Sequence, residues 1–358
     1  MVYDVVIVGA GPGGSTLARL LDEKYKVLLI DKRNLGSYTD NNKEKCCGGL
    51  LAPDAQNMLA KLGLGIPQEV LTGPQMFSVN SIDFDNNIER YYQRHYININ
   101  REKFDRWLVS LIPNSVELCF NSLYKSYKKV DDYIEVKLNK DGENIIVKTK
   151  ILVGADGAIS RVREQTFEHK KSPDKYVSIQ HWYKTKKEMP YYTSIFDKEI
   201  TDFYSWLIQK EDSILIGTAI PIKEDANEKF QLLISKLKKQ GIDIGEAEKK
   251  SGTLIMRTRK IRQINSIKDN VVLIGEAAGF ISPSSAEGIS YALKSGSILA
   301  KCINEQHYDF GKKYNKKTRS LKTNIIFKNL KSILMYNKTI RRWIMKSRIL
   351  SMNIDWDI

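Results

Sequence analysis

Hydrophobic positions along the chain gather into runs that outline its elements. Val5-Val6-Ile7-Val8 and Val27-Leu28-Leu29-Ile30 are continuously apolar, and a glycine cluster and the stretch Ser15 to Asp22 lie between them. Two such runs joined by a turn and a helix-length segment predict a right-handed βαβ unit. Residues 133–153 follow another pattern. Tyr133-Ile134-Glu135-Val136 and Ile145-Ile146-Val147 flank Lys140-Asp141-Gly142, which reads as a hairpin, and the strand Ile151-Leu152-Val153 comes next. Short alternating runs then succeed one another: Tyr176 to Tyr183, Tyr191 to Phe196, Phe203 to Ile208 and Ile214 to Ala219. They predict an antiparallel sheet as a separate layer. Phe230, Leu233, Ile234 and Leu237 share one face of a helix over Lys229 to Gln240, with Gly241 as its stop. The buried-strand pattern returns at Val271-Val272-Leu273-Ile274, and a helical stretch covers Ile289 to Ile303.

The predicted class is therefore α/β, α+β overall. A discontinuous Rossmann-like nucleotide-binding domain is expected over 1–70, 96–165 and 265–308. An antiparallel-sheet substrate domain is inserted over 71–95 and 166–264, and a basic helical tail covers 309–358. At 358 residues, 42% hydrophobic and 28% charged, the chain has the composition of a soluble globular protein. No run of eighteen apolar residues occurs, and the N-terminus reads as a buried strand, not a secretory signal. Cys46, Cys47, Cys119 and Cys302 have neither disulfide-framework nor zinc spacing, which fits a reducing cytosol and no structural metal. His95, His169, His181 and His307 form no ligand spacing and no triad.

Charge changes the picture at one end. The net charge is +15, and Lys312 to Arg348 holds thirteen Lys and Arg with no Asp or Glu. Basicity is thus expected in a tail rather than in the catalytic body. Between Leu321 and Leu350 these charges are mixed with Ile325, Phe327, Leu330, Ile333, Trp343 and other apolar residues. A basic amphipathic helix resting on an anionic membrane explains the mixture, and a solvated basic face on capping helices is the plainer reading.

The chemistry-bearing residues form three segments. Gly9-Ala10-Gly11-Pro12-Gly13-Gly14 is a G-x-G-x-x-G at a strand-to-helix join. Gly9 permits the tight turn, Gly11 lets a pyrophosphate approach the backbone, and Gly14 allows close packing of helix on strand. Asp31, with Lys32 beside it, ends the second strand, where a carboxylate would accept ribose hydroxyls. The second segment is Gly154-Ala155-Asp156-Gly157, continuing to Ser160, Arg161 and Arg163. The third is Gly275-Glu276-Ala277-Ala278-Gly279, running on through Pro283 to Gly288 and Ile289. There a carboxylate can hydrogen-bond a polyol, and a helix N-terminus can face a developing negative charge. A reduced flavin offers both partners.

In this order and spacing the three segments resemble the flavoproteins of the p-hydroxybenzoate hydroxylase superfamily, over about residues 1–305. Within it the chain looks most like the geranylgeranyl reductase family. Lys45-Cys46-Cys47-Gly48-Gly49 is similar to that family's Lys-Pro-Cys-Gly-Gly. Tyr204-Ser205-Trp206-Leu207-Ile208-Gln209-Lys210 is similar to its Tyr-x-Trp-x-Phe-Pro-Lys, and Arg101 with Phe104 and Asp105 resembles its Arg-x-x-Phe-Asp. Glu276 for the usual Asp, Ala286 for a glycine, Cys46 for proline and Ile208-Gln209 for Phe-Pro are departures.

The resemblance implies noncovalent FAD held by all three segments, with Arg101 along the cofactor and Cys47, Gly48 and Gly49 close to the flavin. It implies Cys47, Tyr204 and Trp206 as candidate catalytic residues, the two aromatics walling an apolar cavity; a small buried packing residue is the plainer reading of Cys47, and ordinary sheet core that of Tyr204 and Trp206. The implied reaction is reduction of carbon–carbon double bonds in an isoprenoid or other apolar substrate. NADPH or a reduced electron carrier would serve as external donor. A monooxygenase or halogenase of the same superfamily is the first rival. A non-catalytic FAD-bound protein tethered by its basic tail to membrane or nucleic acid is the second. The expected location is cytoplasmic, peripheral on the inner face of the membrane.

Overall fold

The computed structural model describes residues 2–36, 45–186, 188–305 and 309–353. His307 lies outside them. Two compact units emerge, one from 1–44, 102–173 and 256–327, the other from 45–101, 174–255 and 328–358.

The first unit is built on the expected βαβ start. Strand Val2–Val8 pairs in parallel with Val27–Ile30 on one side and with the end of Glu143–Gly154 on the other. Val116–Cys119 and Val271–Leu273 extend this parallel sheet outward. Side chains alternate between faces along a strand, and here both faces are covered. Val5, Ile7 and Leu29 join one apolar cluster while Val6, Val8 and Leu28 join another. The hairpin turns at Asp141 and Gly142, both with positive φ. The runs read as two strands, Ile145 to Val147 and Ile151 to Val153, are one twelve-residue strand. Its first half pairs antiparallel with Tyr133–Lys140 and its second half parallel with Val2–Val8.

The second unit carries a nine-stranded sheet. It contains Asp174–Lys184, Tyr192–Phe196, Ser205–Lys210 and Ser213–Pro221 within about two residues of the expected places. Two further strands, Met76–Asp83 and Ile88–Asn98, enlarge it. The sheet is not wholly antiparallel, because Tyr192–Phe196 runs parallel to Met76–Asp83. Helix Ala226–Lys239 is capped by Asp225, which accepts from the amides of Asn227 and Glu228. Its Phe230, Leu233 and Leu237 cover the sheet face carrying Ile195, Leu207 and Ile216.

The compact units divide the chain differently from the expected domains. Residues 45–70 and 96–101, placed with the nucleotide-binding domain by sequence, belong to the second unit. Buried side chains anchor the basic C-terminal segment. Phe310, Tyr314, Leu321 and Ile325 are buried in the first unit's apolar clusters, and the Tyr314 hydroxyl donates to the Leu273 carbonyl. Helix Lys338–Lys346 is fixed to the second unit by Arg341, whose guanidinium meets Asp83 at 2.7 Å and Asp85 at 2.6 Å. The chain then adds Ser351–Met352 as an edge strand on Ile88–Asn98.

Candidate functional site: a nucleotide cradle and a cysteine segment

In the first unit the glycines hold the positions that the fold requires. Gly14 has no room for a side chain, since a Cβ there would lie 1.9 Å from the Gly9 carbonyl oxygen. Gly9 has φ +106, and its Cβ would strike the Ala155 carbonyl at 2.6 Å. The first and second motifs therefore meet backbone to backbone. At Gly11 a Cβ would meet nothing within 4 Å, so the backbone borders open space. Helix Pro12–Leu20 starts at this point without a side-chain cap. Its Pro12 has no N–H to lose, and the remaining first-turn amides form a cradle for an anion.

Asp31 is placed at this cradle but is busier than expected. It accepts from the Ala10 amide at 2.8 Å and from Arg33 through its backbone N–H, Nε and Nη2. Arg33 also meets the fully buried Asp105 at 2.9 Å. Burial alone would lower the Arg33 pKa, but Asp105 and Asp31 outweigh it and hold the guanidinium charged. The basic residue that turns back to Asp31 is thus Arg33, while Lys32 is exposed.

The second and third motifs are joined by Arg163, which donates to the carbonyls of Ala277 and Gln263 at 2.9 and 2.6 Å. Burial pushes its pKa down to about 10. Asp156 is pushed up to about 6 by burial, against hydrogen bonds from Ser160 and nearby backbone amides. Its Oδ1 is buried with no partner. Gly157, at φ +75, opens the short helical turn after it. Glu276 accepts from the Met256 amide at 2.9 Å, and Gly279 closes its turn in the left-handed conformation. Gly275 donates its N–H to Ser295, fixing the third motif to helix Ile289–Glu305, which begins directly after Gly288. An uncapped helix start, open space at Gly11 and an orphaned carboxylate oxygen at Asp156 are features that a dinucleotide such as FAD would complete.

In the second unit Cys47, Gly48, Gly49 and Arg101 come together around Lys210. The half-buried Lys210 side chain donates through Nζ to the carbonyls of Gly49 and Ile99, both at 3.0 Å, and to Asn98 Oδ1. Gly49 has φ +62, and a Cβ would lie 2.4 Å from the Ile99 oxygen and 2.6 Å from Lys210 Nζ. Only glycine fits there. Burial raises the Cys47 thiol, but Arg101, the Gly49 amide and Lys45 outweigh it and the net direction is down. Arg101 Nη1 lies 3.5 Å and the Gly49 N 3.4 Å from the sulfur. Cys46, shifted upward by burial, lies against Ser178 instead. Both cysteines are free thiols.

Tyr204 and Trp206 do share a side, with ring centroids 5.6 Å apart. In register with Trp206 are Gly217 and Ser194, and in register with Gly217 is Gln180. Paired residues share a sheet face, so this row lies opposite the face that helix Ala226–Lys239 covers. The Trp206 indole rests on Gly217, where a Cβ would come within 2.5 Å of the ring. Trp206 Nε1 and Gln180 Oε1, both buried, have no hydrogen-bond partner.

Arg33, Lys210 and Gln180 had no assigned role in the sequence. Lys210 ends the quoted Tyr204-to-Lys210 segment, so its place in a motif was the available signal. Asp105 was likewise visible as part of the Arg101 segment.

The fold and the cradle define a protein of the dinucleotide-binding class. The chain belongs to the FAD binding domain family, whose pattern it matches over residues 2–313. It is 41% identical to protein CbrA of Escherichia coli strain K12 over 351 residues, covering 97% of each chain. The same identity and coverage hold for protein CbrA of Shigella sonnei. Among solved structures it resembles a geranylgeranyl bacteriochlorophyll reductase-like protein of Thermoplasma acidophilum. That match has TM-score 0.72 at 20% identity and covers 98% of this chain and 88% of the other. PqsL of Pseudomonas aeruginosa, described as a probable FAD-dependent monooxygenase, matches with TM-score 0.70 at 17% identity, over 98% and 100%. The flavin-dependent halogenase CmlS matches with TM-score 0.67 at 19% identity, over 89% and 62%.

Proposed function

We propose that the protein reduces carbon–carbon double bonds in an isoprenoid lipid, using FAD in its first unit and an external two-electron donor. FAD, when bound, supplies the hydride transfer. The observation that carries this reading is the row on the second unit's sheet. Tyr204, Trp206 and Ile208 offer a buried apolar and aromatic surface that suits a long hydrocarbon chain. The unpaired Trp206 Nε1 and Gln180 Oε1, beside Gly217, are suited to a single polar end group. Cys47, with Arg101 and Lys45 beside it, is the proposed reactive side chain of this unit. The protein of Thermoplasma acidophilum, described as geranylgeranyl bacteriochlorophyll reductase-like, lends the reading support by its fold.

The test is anaerobic. Chemically reduced enzyme is mixed with a geranylgeranyl lipid, and mass spectrometry follows the gain of two hydrogens per bond. Replacing Trp206 by Ala should lower turnover far more than it alters the flavin spectrum. A hydroxylated or halogenated product formed only with oxygen would replace this reading with the monooxygenase or halogenase one, which the likeness to PqsL and CmlS favours.

A further inference from the structure

We infer that the outer side of helix Lys338–Lys346, with the chain on either side of it, docks the protein onto an anionic lipid surface. The inference stands apart from the proposed reaction. Arg341 and Met345 are buried and mark the inner side of this helix. At 3.6 residues per turn, Trp343 lies opposite them, and it is 74% exposed. Lys338, Arg342 and Lys346 recur every four residues along one flank, and Ile340 and Ile344 lie along the other. An exposed tryptophan between a basic flank and an aliphatic flank is the arrangement of a helix lying in a membrane interface.

The surrounding chain continues the pattern. Before the helix, Leu330, Ile333 and Leu334 are 55%, 60% and 45% exposed. After it, Ile349 and Leu350 are 65% and 87% exposed, next to Arg348. A soluble surface seldom shows so many large apolar side chains together. No acidic residue lies between Lys312 and Arg348 to offset the charge. Among the described residues no helix is long and apolar enough to cross a membrane, so contact would be from one side.

Charge selects the occupant. A second copy docking through the same surface would set basic flank against basic flank, which costs free energy. An anionic bilayer supplies negative headgroups for Arg342 and Lys346 and an apolar layer for Trp343 in one surface. The body can hold the helix in place meanwhile, because the Arg341 ion pairs with Asp83 and Asp85 face inward.

The experiment is sedimentation of the FAD-loaded protein with vesicles of phosphatidylcholine alone or mixed with phosphatidylglycerol. Two variants are compared with the wild type, Trp343→Ser with Ile344→Ser and Arg342→Glu with Lys346→Glu. None of the four side chains is buried, and flavin content reports the fold of each variant. Wild type should bind the mixed vesicles and lose binding as salt is raised, and each variant should partition at least about tenfold more weakly. The inference is overturned if both variants bind like the wild type, or if neutral and anionic vesicles bind equally. It is also overturned if the wild type ignores vesicles and forms a dimer that the same substitutions break.

Discussion

Replacing Lys210 by Met tests how the cysteine segment is held. Methionine keeps the apolar stem and removes the nitrogen. Gly49 O retains the Ile99 amide as a donor at 2.9 Å, so it is not orphaned. Asn98 cannot turn away, because its Nδ2 donates to the carbonyls of Pro74 and Gln209, both at 2.9 Å. Asn98 Oδ1 and Ile99 O therefore lose the Lys210 donor inside the protein, at about 1–3 kcal/mol each. Relief of the buried amine's own desolvation offsets part of that, leaving an expected net loss of about 2–4 kcal/mol. The pH dependence carries a definite sign. Burial pushes Lys210 down to about 7, against the opposing pull of Cys47 and Glu211. The unfolded chain titrates near ~10.4, so between these values it binds the extra proton and wild-type stability rises with pH. The gap between wild type and Lys210→Met should widen over that window, by a few kcal/mol at most, on the order of 1 kcal/mol per pH unit. Urea unfolding of both proteins at several pH values between 6.5 and 10 measures it. A variant as stable as wild type, or a gap that stays constant, refutes the reasoning.

Three further outcomes are expected. Arg341→Ala leaves Asp83 buried beside an empty site and should cost about 3–5 kcal/mol; a shift under about 1 kcal/mol in urea unfolding would show that the ion pairs do not hold the helix. Asp31→Ala should weaken FAD binding by about 1.5–3 kcal/mol, read by fluorescence titration, and should also destabilise the protein through loss of the Ala10 and Arg33 contacts. Arg101→Gln should move the Cys47 thiolate absorbance titration upward, with Cys47→Ser as the blank. An unchanged midpoint would mean that Arg101 does not lower this thiol.

The sequence was legible where one element makes its own pattern. The parallel strands of the first unit are buried on both faces and so appear as unbroken apolar runs. The helix at 226–239 shows its buried face through Phe230, Leu233 and Leu237. Strands Met76–Asp83 and Ile88–Asn98 were not seen, because their interiors carry many polar residues, among them Asn80, Ser81, Arg90, Gln93 and Arg94. What makes them strands is pairing with neighbours far along the chain, and no local period records that. The anchoring of the C-terminal segment was hidden for a related reason. Its surplus of lysine and arginine masks single buried anchors such as Tyr314 and Arg341, whose partners Leu273 and Asp83 lie far away in sequence. The glycine motifs mark their own tight turns in the sequence, because a turn that excludes a Cβ leaves its mark on the residue itself. Lys210 was marked only by its place at the end of the Tyr204-to-Lys210 segment, since a lysine among carbonyl oxygens looks like any other lysine until the fold surrounds it.

The most direct test is the flavin content of the purified protein. Heat or acid should release FAD at close to one equivalent per chain, and the stripped protein should take it up again and be reduced by a chemical donor. Protein that is colourless, and that cannot be loaded with FAD while folded, would contradict the assignment of the first unit as a flavin site.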